Sequence, residues 1–114
     1  MGKSTYDQIT GAVKPVVKPA TASKAVELAA SANDWTLSAD GTAQAANQGA
    51  ALVAKGTAVK FSNKTGLHTI TVGGKKDGAD LKQGDERTIT FSTAGEFKIT
   101  CDYHPDMKAT VFVE

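Results

Sequence analysis

An all-β sandwich or barrel is the fold class this sequence predicts. Three observations carry it: short segments with apolar residues at alternate positions, turn-forming residues between them, and no long stretch with helical spacing. At 114 residues the chain has room for one domain of ordinary size. Its 40% hydrophobic and 22% charged residues suit a globular protein with a single core.

The elements follow in chain order. Pro15 and Pro19, each preceded by a lysine, push Lys14 and Lys18 into extended backbone and argue against a helix. Residues 1–24 therefore read as a tail or linker, with Val13, Val16 and Val17 able to dock as an edge strand. From residue 25 to 114 the pattern is that of one β domain. The pairs Val26/Leu28, Val59/Phe61, Ile89/Phe91, Phe97/Ile99 and Val111/Val113 each put two apolar side chains on one face of a strand. Asp40-Gly41, Gly56, Gly73-Gly74, Asp77-Gly78, Gly84-Asp85 and Gly95 punctuate the chain between these segments. The alanine-rich stretch 42–54 would favour a helix if Gly49 did not interrupt it, so a loop leading into a strand through Leu52 is expected. Trp35 reads as a core or rim aromatic.

Charge and cysteine content narrow the function. Lys+Arg 13 against Asp+Glu 12 leaves a net charge of +1, which offers no bulk attraction for nucleic acid or anionic lipid. The single cysteine excludes an internal disulfide, a four-cysteine zinc site and a dinuclear copper centre with two bridging thiolates. What remains is a lone thiol: reactive, buried or metal-bound. No run of about 18 apolar residues is present, and Met1-Gly2-Lys3-Ser4 lacks the apolar stretch of a signal peptide. The expectation is a chain without a membrane span, made in the cytosol or trimmed.

One constellation carries chemistry. Cys101, His104 and Met107 stand in a C-x2-H-x2-M pattern, in a short loop expected to leave one strand at Cys101 and enter another near Ala109. The other histidine, His68, lies in a separate segment, so four soft or borderline donors can converge on one point. Thiolate and imidazole suit copper in both oxidation states, and two histidines with one cysteine in a plane and a long axial thioether make an electron-transfer copper site.

These residues resemble the blue copper cupredoxins of the plastocyanin and amicyanin type. The resemblance rests on Cys101-x2-His104-x2-Met107 followed by alternating Val111 and Val113, on Gly56 to Asn63 leading to His68, and on the His104-Pro105 pair. It implies a Greek-key β-sandwich or barrel of about seven to eight strands. It also implies one copper ion, Cu(I)/Cu(II), held by His68 Nδ1, Cys101 Sγ and His104 Nδ1, with Met107 a weak axial ligand whose replacement leaves the fold intact. Asn63 and Thr69 would support the ligands. The family commonly has asparagine after the first histidine; here the Thr69 hydroxyl would make that loop-to-loop bond.

Gly66, Leu67, Tyr103 and Pro105 would form an apolar docking patch around the exposed edge of His104. The implied function is that of a monomeric electron carrier, not an enzyme, shuttling single electrons between redox proteins such as a c-type cytochrome or a membrane oxidoreductase. The implied place is periplasmic or otherwise extracytoplasmic, with the N-terminal segment a spacer from a removed signal or anchor. Asp102, Asp106, Lys75 and Lys76 read as solvated charges, and the two aspartates would favour a partner with a lysine-rich rim. Two other functions fit the same residues: a copper(I)-handling or delivery protein, and a red-copper-type site with an open coordination position.

Overall fold

Alternation in the sequence becomes two stacked sheets. The computed structural model describes residues 16–114, and within them ten strands form two five-stranded sheets. The first sheet contains β1 (Val26–Ser31), β2 (Asp34–Ala39), β3 (Thr42–Ala43), β5 (Thr57–Asn63) and β8 (Glu86–Phe91), in the order β3-β2-β1-β5-β8. The second contains β4 (Ala50–Val53), β6 (Thr71–Val72), β7 (Lys75–Lys76), β9 (Gly95–Cys101) and β10 (His104–Val113), in the order β4-β10-β9-β6-β7. All pairs are antiparallel except β1 with β5 and β4 with β10. Each parallel pairing needs a connection that leaves its sheet and returns, which closes the two layers into a Greek-key sandwich.

Register places the apolar positions against one another. Leu28 stands opposite both Leu37 and Phe61 in the first sheet, and Val111 opposite Phe97 and Ala51 in the second. The core between them holds Leu28, Trp35, Leu37, Val59, Phe61, Ile70, Ile99 and Val111, all fully buried. Each large side chain so placed contributes about 1.5–3 kcal/mol relative to exposure. Trp35 belongs to the core proper, with its ring edge-on to Phe61 at 5.8 Å and 80°.

Three of the ten strands, β3, β6 and β7, are two residues long and too short to leave an alternating signal. Stretch 42–54 holds no helix, and the reason lies in packing as well as propensity. A Cβ on Gly49 would stand 2.5 Å from Leu37 Cβ, so only glycine lets this segment close over the first sheet. Val16 and Val17 form no edge strand, and Val17 is 78% exposed. The segment 16–25 is tied instead by Ser23 N–H to Leu52 O at 2.7 Å and by an ion pair from Lys18 to Glu114. Val13, Lys14 and Pro15 lie outside the described residues, as does the rest of the tail before residue 16.

Candidate metal centre

His68 follows β5, while Cys101 ends β9 and His104 begins β10, at the end of the sandwich where these elements meet. Cys101 and His104 are partners across a two-residue turn made of Asp102 and Tyr103. Neither turn residue has positive φ. Two-residue hairpins match the twist of their strands best when a turn residue adopts positive φ, so this turn splays them. Pro105 follows with no N–H to give the ladder. Pairing resumes only at Lys108, opposite Thr100, which leaves residues 105–107 without partners on β9. Met107 shares the strand parity of Ala109, Val111 and Val113 and is, like them, buried among the core residues together with Cys101. Met107 thus sits within β10 rather than in a loop, and it fills part of the core. The expectation that its replacement leaves the fold untouched is corrected by that burial.

The three nitrogen and sulfur donors converge. His68 Nδ1 lies 3.8 Å and His104 Nδ1 3.6 Å from Cys101 Sγ, and all three atoms fall within 4.8 Å of one another. Bonds of about 2.3 Å to thiolate and about 2.0 Å to imidazole, separated by about 110–120°, put sulfur and nitrogen about 3.5–3.7 Å apart. The spacing therefore fits a first-row metal ion between the three donors. Sulfur with two imidazoles is the donor set that suits copper in both oxidation states.

The tautomer of His68 follows from its other nitrogen. Nε2 lies 2.8 Å from Thr65 O, and a carbonyl oxygen only accepts, so Nε2 carries the proton and Nδ1 presents its lone pair toward Sγ. Gly66 makes room for this arrangement. Its φ is +91°, and a Cβ there would stand 3.2 Å from His68 Nε2. Asn63 holds the segment from below by donating from Nδ2 to Gly66 O at 2.8 Å and to Leu81 O at 2.7 Å. The sulfur accepts one backbone hydrogen bond, from Thr69 N at 3.4 Å.

Thr69 also links the two ligand segments. Its Oγ1 accepts from Asp102 N at 2.8 Å and lies 2.9 Å from Thr71 Oγ1, which donates to Asp102 Oδ1 at 2.7 Å. Thr71 spends its only hydroxyl proton on the carboxylate, so Thr69 must donate to Thr71. The result is a closed ring: Asp102 N–H to Thr69, Thr69 O–H to Thr71, Thr71 O–H back to Asp102. Bonds in such a ring polarise one another in the same direction. Asp102 is therefore a bonded member of the site although it is exposed, as Asp106 is.

Around His104, which is half-buried, Gly66, Leu67, Tyr103 and Pro105 are all exposed, with Leu67 at 45% and Tyr103 at 50%. Tyr103 is not purely apolar surface, since its hydroxyl donates to Asp80 Oδ2 at 2.6 Å. Lys76 Nζ lies 2.6 Å from the other oxygen of Asp80, so Lys76 too is paired. The bond to Asp80 raises the Lys76 ammonium above its ordinary pKa. Hydrogen bonds from Lys76 and Tyr103 hold the Asp80 carboxyl below the usual carboxylate range, and the bond to Asp80 raises the Tyr103 phenol.

Sequence reasoning missed Asp80, Thr71 and Asn47. Asn47, at φ +61°, accepts through Oδ1 from Trp35 N at 3.0 Å and Lys108 N at 3.2 Å, tying the start of β2 to the residue after Met107. An asparagine between alanines and a glycine hints at a left-handed turn position; nothing local marks its reach to residue 108.

No family model matches the sequence, and no curated protein matches it. Solved structures do. A purple cupredoxin from Nitrosopumilus maritimus is 26% identical over 57% of this chain and 77% of its own, with a TM-score of 0.50. An oxidized variant of amicyanin is 20% identical over 83% of this chain and 87% of its own, with a TM-score of 0.57. A copper-containing nitrite reductase from Thermus scotoductus is 23% identical over 79% of this chain but only 22% of its own, with a TM-score of 0.56. The sandwich is the cupredoxin fold, and it carries a His68, Cys101 and His104 cluster able to hold a metal ion.

Proposed function

We propose that this chain is an electron carrier with one type 1 copper ion, held by His68, Cys101 and His104 with Met107 as the axial ligand. The observation that carries the reading is the convergence of His68 Nδ1 and His104 Nδ1 on Cys101 Sγ at 3.8 and 3.6 Å, in a site already shaped by backbone and side-chain bonds. Copper bound there supplies one-electron redox chemistry. The chain supplies rigidity. His68 is fixed in orientation by Thr65 O, the sulfur accepts from Thr69 N, and the Thr69–Thr71–Asp102 ring locks the two ligand segments to each other. Such support keeps ligands where both oxidation states accept them and tunes the potential. The buried Cys101 and His68 exclude water, and half-buried His104 offers the way out for the electron.

The exposed Leu67, Tyr103, Gly66 and Pro105 around His104 support docking of a redox partner, of the c-type cytochrome or membrane oxidoreductase kind, on this end of the sandwich. Among the described residues no helix is long and apolar enough to cross a membrane. We place the carrier outside the cytoplasmic membrane, with residues 1–24 as spacer. The role is that of a carrier rather than an enzyme. It is tested by adding Cu(II) to the purified protein and recording the visible spectrum before and after ascorbate. An intense thiolate-to-copper band that bleaches and returns on reoxidation is the expected result. A colourless protein that holds Cu(I) and yields it readily to a chelator would replace the carrier by a copper-handling role. A spectrum shifted by azide would indicate an open coordination position.

A further inference from the structure

The two ligand-bearing segments are joined by a third piece of chain that holds no ligand. Segment 77–81 leaves β7 in the second sheet and leads toward β8 in the first. Leu81, itself buried, exchanges two backbone bonds with His68: His68 N to Leu81 O at 3.1 Å and Leu81 N to His68 O at 2.7 Å. One residue earlier, Asp80 accepts from the Tyr103 hydroxyl, and Tyr103 stands between Cys101 and His104. Consecutive residues thus grip both sides of the site.

The segment is itself anchored twice. Arg87, from β8, donates to Asp77 O and, at 2.7 Å, to Ala79 O. Lys76, at the end of β7, pairs with Asp80. Gly78 makes the bend between these anchors at φ +67°, with the Arg87 guanidinium 3.4 Å from where a Cβ would stand. The carbonyls Arg87 occupies leave the bend in one conformation, since guanidinium donors have a fixed fork.

We propose that segment 77–81 is a strap that sets the separation of the His68 and His104 sides of the site, with Asp80 a positioning residue acting through Tyr103. This inference rests on the copper reading only for its metal-bound readouts. Partners that orient first-layer ligands govern metal affinity without touching the ion. Asp80 fits that part because its bond to Tyr103 is charge-assisted and reaches the two-residue turn that fixes where His104 begins.

The test uses Tyr103→Phe, Asp80→Asn and the double variant, with Glu96→Gln as a control for loss of one charge elsewhere on β9. In metal-free protein, amide exchange at Asp102 and His68, whose N–H groups bond Thr69 Oγ1 and Leu81 O, should speed up in Y103F and D80N but not in E96Q. In copper-loaded protein, release of Cu(I) to a chelator should accelerate roughly 10-fold, and the visible band and reduction potential should move. The double variant should do no more than the larger single one, because both act on the same Tyr103–Asp80 bond, Phe by removing its donor and Asn by replacing a charged acceptor with a weaker neutral one. Exchange and release at parental rates in Y103F would overturn the proposal, as would effects that add in the double variant. If the parent protein develops no thiolate band with Cu(II), the copper reading fails, and the metal-free exchange still decides the strap.

Discussion

Replacing Thr69 by valine removes one hydroxyl at nearly constant volume and opens the ring that joins the ligand segments. The Thr69 side chain is buried, so water cannot readily replace what is lost. The substitution strips Asp102 N–H of its acceptor at 2.8 Å and Thr71 Oγ1 of its donor at 2.9 Å. The Thr71 bond to Asp102 Oδ1 survives, and Thr69 N–H to Cys101 Sγ is a backbone bond that valine retains. Asp102 itself is exposed, which lets solvent recover part of the amide's loss. Net hydrogen bonds of about 1 kcal/mol, with about 1–3 kcal/mol for an orphaned buried donor, put the cost at about 1–2 kcal/mol. For a domain near 100 residues this lowers the melting temperature by about 5–15 °C. Urea denaturation of the metal-free protein, followed by fluorescence of the single buried Trp35, reads the stability term. The copper-loaded visible spectrum and potential read the positional one. Thr69→Ser keeps the hydroxyl and loses a methyl, so it should retain the spectrum while Thr69→Val does not. Stability of T69V within about 0.5 kcal/mol of the parent, with an unchanged copper spectrum, would refute the reasoning.

Other expectations follow from the same geometry. Met107→Leu conserves volume and should cost less than about 1.5 kcal/mol, yet raise the reduction potential by removing the thioether; Met107→Ala should destabilise the metal-free protein by about 2–5 kcal/mol, and equal stability of parent and M107A would contradict the burial described. Gly66→Ala puts a methyl 3.2 Å from His68 Nε2 at a strained φ, so it should weaken metal retention, measured by chelator competition, more than it weakens folding. The depressed Asp80 carboxyl means that its stabilising contribution is complete above its unfolded pKa of about 3.9 and is lost as pH falls through the lower folded value. The stability difference between the parent and Asp80→Asn should therefore stay flat from about pH 5 to pH 8 and shrink only in acid; a difference that vanishes near neutrality would sink this assignment.

Much of this molecule can be read from its sequence, and what cannot has a common physical reason. Alternating pairs such as Val59/Phe61 and Val111/Val113 announce buried strand faces because side-chain direction has a period of two. The C-x2-H-x2-M pattern is legible for a similar reason: three donors within seven residues leave the chain few ways to separate them. The Thr69 hydroxyl accepts from Asp102 N, a bond between the two segments that carry His68 and Cys101. Asp80, Thr71 and Asn47 were not legible because their partners are remote, with Asn47 and Lys108 61 residues apart. Strands of two residues, such as β6 and β7, exist through pairing with neighbours and carry no pattern of their own. Met107 reads in the sequence as a candidate sulfur donor, and its burial follows the same alternation as Ala109, Val111 and Val113.

The order of strands in the second sheet bears on when the site comes into being. Its interior strands are β10, β9 and β6, yet β9 and β10 come last among the described strands. During synthesis, β4 emerges long before β10, its one partner in this sheet, and Cys101 leaves the ribosome before His104 and the rest of β10. The thiol therefore spends its first moments without the geometry that makes it selective, when any soft ion or oxidant could claim it. Pairings so distant along the chain also close slowly. His68 Nδ1, Cys101 Sγ and His104 Nδ1 can therefore meet as one cluster only after this last pairing, of β10 with β9, has formed.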